Sequence, residues 1–221
     1  MAAITFPQLG KLGRTANSMF QAASTIGIAH KNNLFYFFPE WENQKYFINK
    51  LPTKDDIKVK LRPYKTISES SFSYQDFTLS DNYNYEIKNS YLQSWKYWIG
   101  AEHLVKKYFE FQPNIVDNIY KVWDNVLSSN ITCAIHFRLK DYLQFSEYHT
   151  NLQLTDYYRD ATKLMESQNN TDEPTKYIIF SDDIPWCKTN AIKLLGGNIH
   201  PNNVLFSEDF NEVEDLVLMS L

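Results

Sequence analysis

The chain is expected to fold as an α/β protein, and three features of the sequence say so. Short apolar runs alternate with longer helical patterns in both halves, the ordering that gives parallel sheets with helical crossovers. Two of the runs, Leu34 to Phe38 and Tyr177 to Phe180, are apolar at successive positions, and the second reads as a parallel strand covered on both faces. Polar residues then gather just past strand ends, at His136-Phe137-Arg138 and at Ser181-Asp182-Asp183, where open α/β sheets bind their ligands.

Taken in order, Ala2 to Phe6 is a first strand, followed by a loop with Gly10 and Gly13 and a helix from about Asn17 to Lys31. Phe20, Ala23 and Ile26 fall at three-residue spacing on one face of that helix, and Leu34 to Phe38 completes a βαβ unit. From Pro39 to about Ser80 the text is polar and aromatic, broken by Pro52 and Pro63, and reads as short strands and loops; Lys54-Asp55-Asp56 reads as a solvated patch. Ile115 to Leu127 is an amphipathic helix with Ile115, Ile119, Val122, Val126 and Leu127 as its apolar stripe. A second domain is expected to begin beyond it, dividing the chain into residues 1–128 and 129–221.

That second part opens on a β-branched strand from Ile131, in which Ala134, His136 and Arg138 face one way and Cys133, Ile135 and Phe137 the other. Thr155 is expected to cap a helix running to about Gln168, and Asn169 to Thr175 is a surface loop. After the strand at 177–180, Pro185 suits a first helical position and Gly196-Gly197 closes the helix. Val204 to Phe206 is a last short strand, and Asn211 caps a final helix with an acidic first turn.

With 221 residues, 43% apolar and 22% charged, the chain is long enough for one large domain or two small ones around a real core. A net charge of −4 argues against a nucleic-acid binder. Aromatic residues make up 16%, many of them Tyr, which suits stacking surfaces for sugars or bases as well as an aromatic interior. Two cysteines, Cys133 and Cys187, make neither a disulfide scaffold nor a zinc site and read as buried thiols in a reducing compartment. No signal peptide and no run of membrane-spanning length is visible. Asn130-Ile131-Thr132 and Asn169-Asn170-Thr171 fit the glycosylation sequon, a pattern that also arises often by chance.

The chemistry is expected at the end of the strand carrying His136 and Arg138. A guanidinium stays charged and offers a planar fork of donors, which suits a diphosphate. The alternative is that His136 is a core histidine and Arg138 one half of a salt bridge to Asp141. A carboxylate at Asp182 or Asp183 can accept from both N1–H and the exocyclic amine of guanine, against helix capping as the other use of Asp183. The loop at Gly10 and Gly13 feeds a helix N-terminus and can take an anion or hydroxyl, but it is neither a Walker loop nor a dinucleotide fingerprint.

Four separated stretches resemble motifs of the α-1,2-fucosyltransferases, a family of inverting, GDP-fucose-dependent enzymes. His136, Arg138, Asp141 and Tyr142 match the family's His-x-Arg-Arg-x-Asp-Tyr, with Leu139 at the second Arg and Lys140 in place of the usual Gly. Gly13-Arg14-Thr15-Ala16-Asn17-Ser18-Met19-Phe20-Gln21 is similar to its Gly-Arg-Leu-Gly-Asn-Gln-Met-Phe-Gln opening. Phe180-Ser181-Asp182-Asp183-Ile184-Pro185-Trp186-Cys187 resembles its Phe-Ser-Asp-Asp-x-x-Trp-Cys, and Glu214 to Ser220 its Glu-Asp-Leu-x-Leu-Met-Ser. A further segment, Tyr91, Gln93, Ser94, Lys96 and Tyr97, matches an acceptor-side motif in which aromatic and amide groups meet a galactoside, with core packing as the equal alternative.

The resemblance implies a GT-B arrangement of two Rossmann-like domains across a cleft, the acceptor mainly on the first and the donor on the second. It also implies a further strand and helix beyond Leu221. The implied reaction moves L-fucose from GDP-β-L-fucose to the 2-hydroxyl of a terminal galactoside. Arg138 and His136 would be catalytic; His136, Arg138, Asp141, Ser181, Asp182, Asp183 and Asn17 would bind the donor, and Tyr91, Gln93 and Lys96 the acceptor. No metal is implied. The absence of a Golgi anchor points to a cytoplasmic, bacterial-like enzyme, or a Golgi-lumenal one with its anchor removed. A second class of function stays open: a transferase-like shell that binds nucleotide or glycan without turnover.

Overall fold

Burial of alternating apolar strands between helices produces two parallel sheets. The structure, a computed structural model, describes residues 1–57, 62–128, 131–144, 147–196 and 199–221. The described residues fall into two compact units that divide between Pro113 and Asn114, where the sequence reading placed the division after residue 128.

In the first unit, β1 (Ala3–Thr5) is wholly buried and pairs in parallel with β2 (Phe35–Phe37) through the crossover helix α1 (Thr15–Lys31). The helix begins two residues before the expected start, because Asn17 accepts the Arg14 N–H at 2.9 Å and closes the first turn. Gly13, at φ 83°, is required there: a Cβ would lie 2.5 Å from the Asn17 side chain.

The sheet order is β2-β1-β4-β3, with β3 (Tyr64–Ile67) and β4 (Asn84–Ile87) joining in parallel. The strand at 84–87 was not expected, although it lies next to β1. Its first residue is a buried asparagine, which composition marks as loop. The amide is satisfied inside the sheet: its Oδ1 accepts the Ala3 N–H at 2.9 Å and its Nδ2 donates to the Arg62 carbonyl at 3.2 Å.

Helix α1 packs on a single 3-10 turn at Trp95–Trp98, which α2 (Glu102–Tyr108) follows. Contact is so close at Gly27 that a Cβ would lie 2.2 Å from the Tyr97 carbonyl oxygen and 2.5 Å from the Trp98 Cα. Gly27→Ala would raise stability by up to about 1 kcal/mol on an open helix face. Here it is expected to cost about 1–3 kcal/mol through overpacking, read as a lower thermal midpoint by circular dichroism.

The second unit opens one residue into α3 (Pro113–Leu127), whose buried residues are Ile119 and Trp123. Val122, expected in the apolar stripe, is 65% exposed; the indole of Trp123, four residues on from Ile119, takes the inward position. Then come β5 (Thr132–Phe137), the short α4 (Lys140–Gln144), α5 (Tyr157–Gln168), β6 (Lys176–Ser181), α6 (Ile184–Leu195), β7 (Val204–Phe206) and α7 (Glu212–Ser220). The sheet is parallel in the order β5-β6-β7, with His136 beside Phe180 and Phe137 beside Ser181.

Tyr177, Ile178, Ile179 and Phe180 are all buried, as the unbroken apolar run required. Along β5 the expected alternation holds: Ala134 and His136 are exposed while Phe137 is buried. Asn211 caps α7 with the Glu214 carboxylate returning to its N–H at 2.9 Å. At α5 the capping position is Asp156, one residue after the expected Thr155, whose hydroxyl nevertheless accepts the Tyr157 N–H at 3.3 Å. Asn169, in one of the two sequons, ties down its own turn by donating to the Glu173 carbonyl and accepting the Thr171 N–H. Asn130 and Gly197 lie outside the described residues. Cys187 is buried, Cys133 half-buried, and neither is in a disulfide. Among the described residues no helix is long and apolar enough to cross a membrane.

Candidate functional site

Where β5 ends, Phe137 turns into the core against Tyr158, ring centroids 4.3 Å apart, and Leu139 follows it at 4% exposure. Arg138 between them is thereby directed away from the core, as strand alternation demands. Its guanidinium meets Asp141 in a two-point pair: Nε donates to Oδ1 at 2.8 Å and Nη2 to Oδ2 at 2.5 Å. The salt bridge considered as the alternative use of Arg138 is therefore present. It uses one edge of the fork; Nη1 has no hydrogen-bond partner among the described residues.

Asp182, at the end of the neighbouring strand, fixes the turn that carries Arg138. Its Oδ1 accepts the Leu139 N–H at 2.9 Å and its Oδ2 the Lys140 N–H at 3.2 Å, which satisfies two open donors at the start of α4. Oδ2 also lies 3.6 Å from Arg138 Nε. Asp183 accepts the Trp186 N–H at 3.1 Å and caps α6, while Ser181 accepts the Asp183 N–H at 3.0 Å and donates to the Phe137 carbonyl at 2.7 Å. Ser181, Asp182 and Asp183 thus all hold backbone, and both aspartates spend carboxylate oxygens on N–H groups of this chain.

His136 shares the open face of β5 with the approach to Arg138. Although the residue is exposed, its imidazole is pushed below its usual range, first by partial desolvation and then by the Arg138 charge, with Asp182 opposing. It is neutral at pH 7 and can both donate and accept. Because the folded-state value is depressed, the neutral imidazole's contribution to stability is fully present above the ordinary value of 6.5 and is lost as pH falls through the lowered one. The thermal midpoint of His136→Gln is therefore expected to fall less than that of the wild type on acidification below that value, measured by scanning both proteins in a buffer series.

A cavity of about 370 Å³ opens beside these groups within the second unit, lined by His136, Arg138, Tyr142, His149, Gln153 and Tyr158 among others. Tyr142 and His149 stack with centroids 3.7 Å apart and planes 4° from parallel, and the Arg138 guanidinium carbon sits 5.7 Å from the Tyr142 ring centre. Tyr158 donates to the His136 carbonyl at 3.5 Å, and its burial pushes the phenol up to about 12. His149 and Gln153 were not singled out in the sequence; the first sits on a loop and the second on a single 3-10 turn, Leu152–Leu154, both too short for a periodicity to mark a facing side. Larger cavities lie elsewhere. One of about 620 Å³ is bordered by Arg159, which is already paired with Asp156 and Asp160, and one of about 560 Å³ is mainly apolar, bordered by Phe20 and Trp98.

The remaining expected site residues lie in the first unit. Asn17 caps α1. Tyr91 sits 6.1 Å from the Phe72 ring, Gln93 is exposed, and Lys96 places its Nζ 5.9 Å from the Tyr74 ring centre. Tyr97, matched in the same segment, is a core residue whose hydroxyl donates to Glu69 at 2.9 Å. Among the described residues no three His, Cys, Asp or Glu side chains converge as a metal site.

A guanidinium anchored along one edge, open along another and bordering a cavity at a strand's carboxyl end can hold an anionic group. No family model and no curated protein matches the chain. Solved structures do. The crystal structure of fucosyltransferase NodZ from Bradyrhizobium is similar at a TM-score of 0.53 and 10% identity, over 99% of this chain and 81% of that one. NodZ α-1,6-fucosyltransferase soaked with GDP-fucose gives a TM-score of 0.58 at 10% identity, and the same protein co-crystallised with GDP 0.54 at 10%, each with the same two coverages. At this identity the likeness shows the fold: the chain is an α/β protein of the GT-B class.

Proposed function

We propose that this protein is a glycosyltransferase that moves L-fucose from GDP-β-L-fucose to a galactoside hydroxyl. The observation that carries the reading is Arg138, held by two hydrogen bonds to Asp141 with its Nη1, beside the cavity, bonded to none of the described residues. The motif resemblance supports it, as does a fold shared with structures of a fucosyltransferase soaked with GDP-fucose. The reaction is one in-line displacement: the acceptor oxygen bonds to the fucose anomeric carbon as the bond from that carbon to the β-phosphate oxygen breaks. The acceptor's proton is released and GDP leaves with the bonding pair, so the configuration inverts.

Negative charge grows on the departing diphosphate, and Arg138 is the group placed to neutralise it. Asp141 and Asp182 act through Arg138 by fixing its orientation, and neutral His136 contacts the nucleotide. The donor is assigned to the second unit. The acceptor is assigned to the first, through Tyr91, Gln93 and Lys96, with the 2-hydroxyl as its reacting group because the motifs resemble the α-1,2 family. No metal is required.

Calorimetric titration with GDP, followed by product analysis with GDP-fucose and lactose in EDTA, tests the reading. Binding, transfer that survives EDTA and an α-1,2 linkage are expected; an α-1,6 product would keep the activity and overturn the linkage. GDP binding with no transfer under any condition would favour the second reading, a nucleotide-binding shell. That reading has one specific observation behind it: Leu139, where the family carries its second arginine, is packed into the core.

A further inference from the structure

A second cavity, of about 360 Å³, lies in the first unit and is lined by Lys31, Tyr74, Asp76, Phe77, Lys96 and Tyr97, with Ile28 and Ile99 at its margin. Its size falls in the range of small-molecule pockets, about 300–1,000 Å³. We propose that it is a binding subsite for a neutral pyranose, stacked on Tyr74 with its hydroxyls bridging the Lys31–Asp76 pair. The placement of the sugar at this subsite extends the acceptor side of the transfer reading, and rests on that reading only for a galactoside as the preferred sugar.

The floor is apolar and fixed. Phe77 and Tyr97 are buried, and the Tyr74 ring packs 4.9 Å from Tyr97 while remaining 38% exposed. The segment bearing Tyr74 is pinned on both sides. Gln75 accepts the Ser70 N–H and donates to the Ser68 carbonyl, both at 3.0 Å, and the Asn32 amide holds the Phe77 carbonyl at 2.9 Å and the Leu79 N–H at 2.7 Å. An exposed aromatic ring on a segment tied down in this way needs little ordering on binding, which is what lets a weakly held ligand bind at all.

The rim selects the ligand's chemistry. Lys31 Nζ reaches both oxygens of Asp76, at 2.5 and 2.6 Å, and Lys96 stands over the Tyr74 ring at 5.9 Å, at the outer limit of a cation–π contact. A sugar hydroxyl is at once donor and acceptor, so neighbouring hydroxyls can accept from an ammonium and donate to the carboxylate without separating the pair. The C–H face of the same ring covers tyrosine. A wholly apolar ligand would strip water from the ion pair and give nothing back. A cation would meet two lysines, and an anion would have to compete with Asp76, which already holds Lys31 through both oxygens.

The test is lactose binding to the full chain, without donor, followed by saturation-transfer NMR and by calorimetry. Tyr74→Ala and Asp76→Asn change half-exposed side chains, and thermal scans check that both variants fold. Each is expected to weaken lactose binding at least tenfold while GDP affinity stays within twofold of wild type. Wild-type affinity for lactose in both variants, or no saturable lactose binding by the wild type, would overturn the subsite. Its fate is separable from that of the transferase reading: lactose bound through Tyr74 by a protein that never turns over GDP-fucose sinks the enzyme and leaves the subsite.

Discussion

Arg138→Lys is expected to slow fucose transfer from GDP-fucose at least tenfold while leaving the protein folded. A charge-assisted hydrogen bond contributes about 1.5–3 kcal/mol, and each loss of about 1.4 kcal/mol from transition-state stabilisation is a factor of ten in rate. Lysine keeps the charge but lacks the fork. It cannot hold both Asp141 oxygens along one edge, as Nε and Nη2 do, and present a second edge to a diphosphate. If charge grows on the leaving group, the loss falls on kcat more than on KM, which separates catalysis from simple donor binding. Arg138→Ala is expected to be worse in both respects, since it removes the cation that lies between Asp141 and Asp182. Steady-state kinetics on both variants, with circular dichroism as the control for folding, checks this.

Leu139→Arg is expected to unfold or severely destabilise the protein. From motif comparison alone the substitution would restore the second arginine and raise activity. The structure gives the opposite expectation, because Leu139 is 4% exposed and packed with Phe137, Tyr158 and Cys187, while its N–H is bound by Asp182. A guanidinium there would be buried among apolar side chains with its nearest carboxylates already engaged. An uncompensated buried charge costs several kcal/mol, a large part of the roughly 5–15 kcal/mol that holds a domain together. Chemical denaturation of Leu139→Arg beside Leu139→Met gives the answer; the methionine variant, close in volume, is expected to lose less than about 1.5 kcal/mol.

Much of the second unit's framework was legible in the sequence. Tyr177 to Phe180 could be a buried parallel strand on composition alone, and β-alternation correctly put His136 opposite Phe137. What alternation could not supply was the direction of residues just past the strand. The chain turns into α4 immediately after Arg138, so Leu139 returns to the core and Asp182 is drawn to the two backbone N–H groups exposed by that turn. β4 stayed hidden for a related reason. Its buried Asn84 reads as polar, and only the Ala3 and Arg62 backbone partners, 81 and 22 residues away, make that burial favourable. On α3, period alone did not distinguish Val122 from Trp123, and the larger indole went inside. The wall formed by Tyr142, His149 and Gln153 brings together a residue of α4, a loop residue and one from a short 3-10 turn, a meeting for which a linear pattern carries no signal.

A crystal structure of the protein with GDP bears most directly on the central assignment. It is expected to show a diphosphate oxygen within hydrogen-bond distance of Arg138 Nη1, with the Asp141 pair unbroken and the nucleotide in the cavity beside His136. GDP bound at another surface, with Arg138 touching only its two carboxylates, would contradict the account.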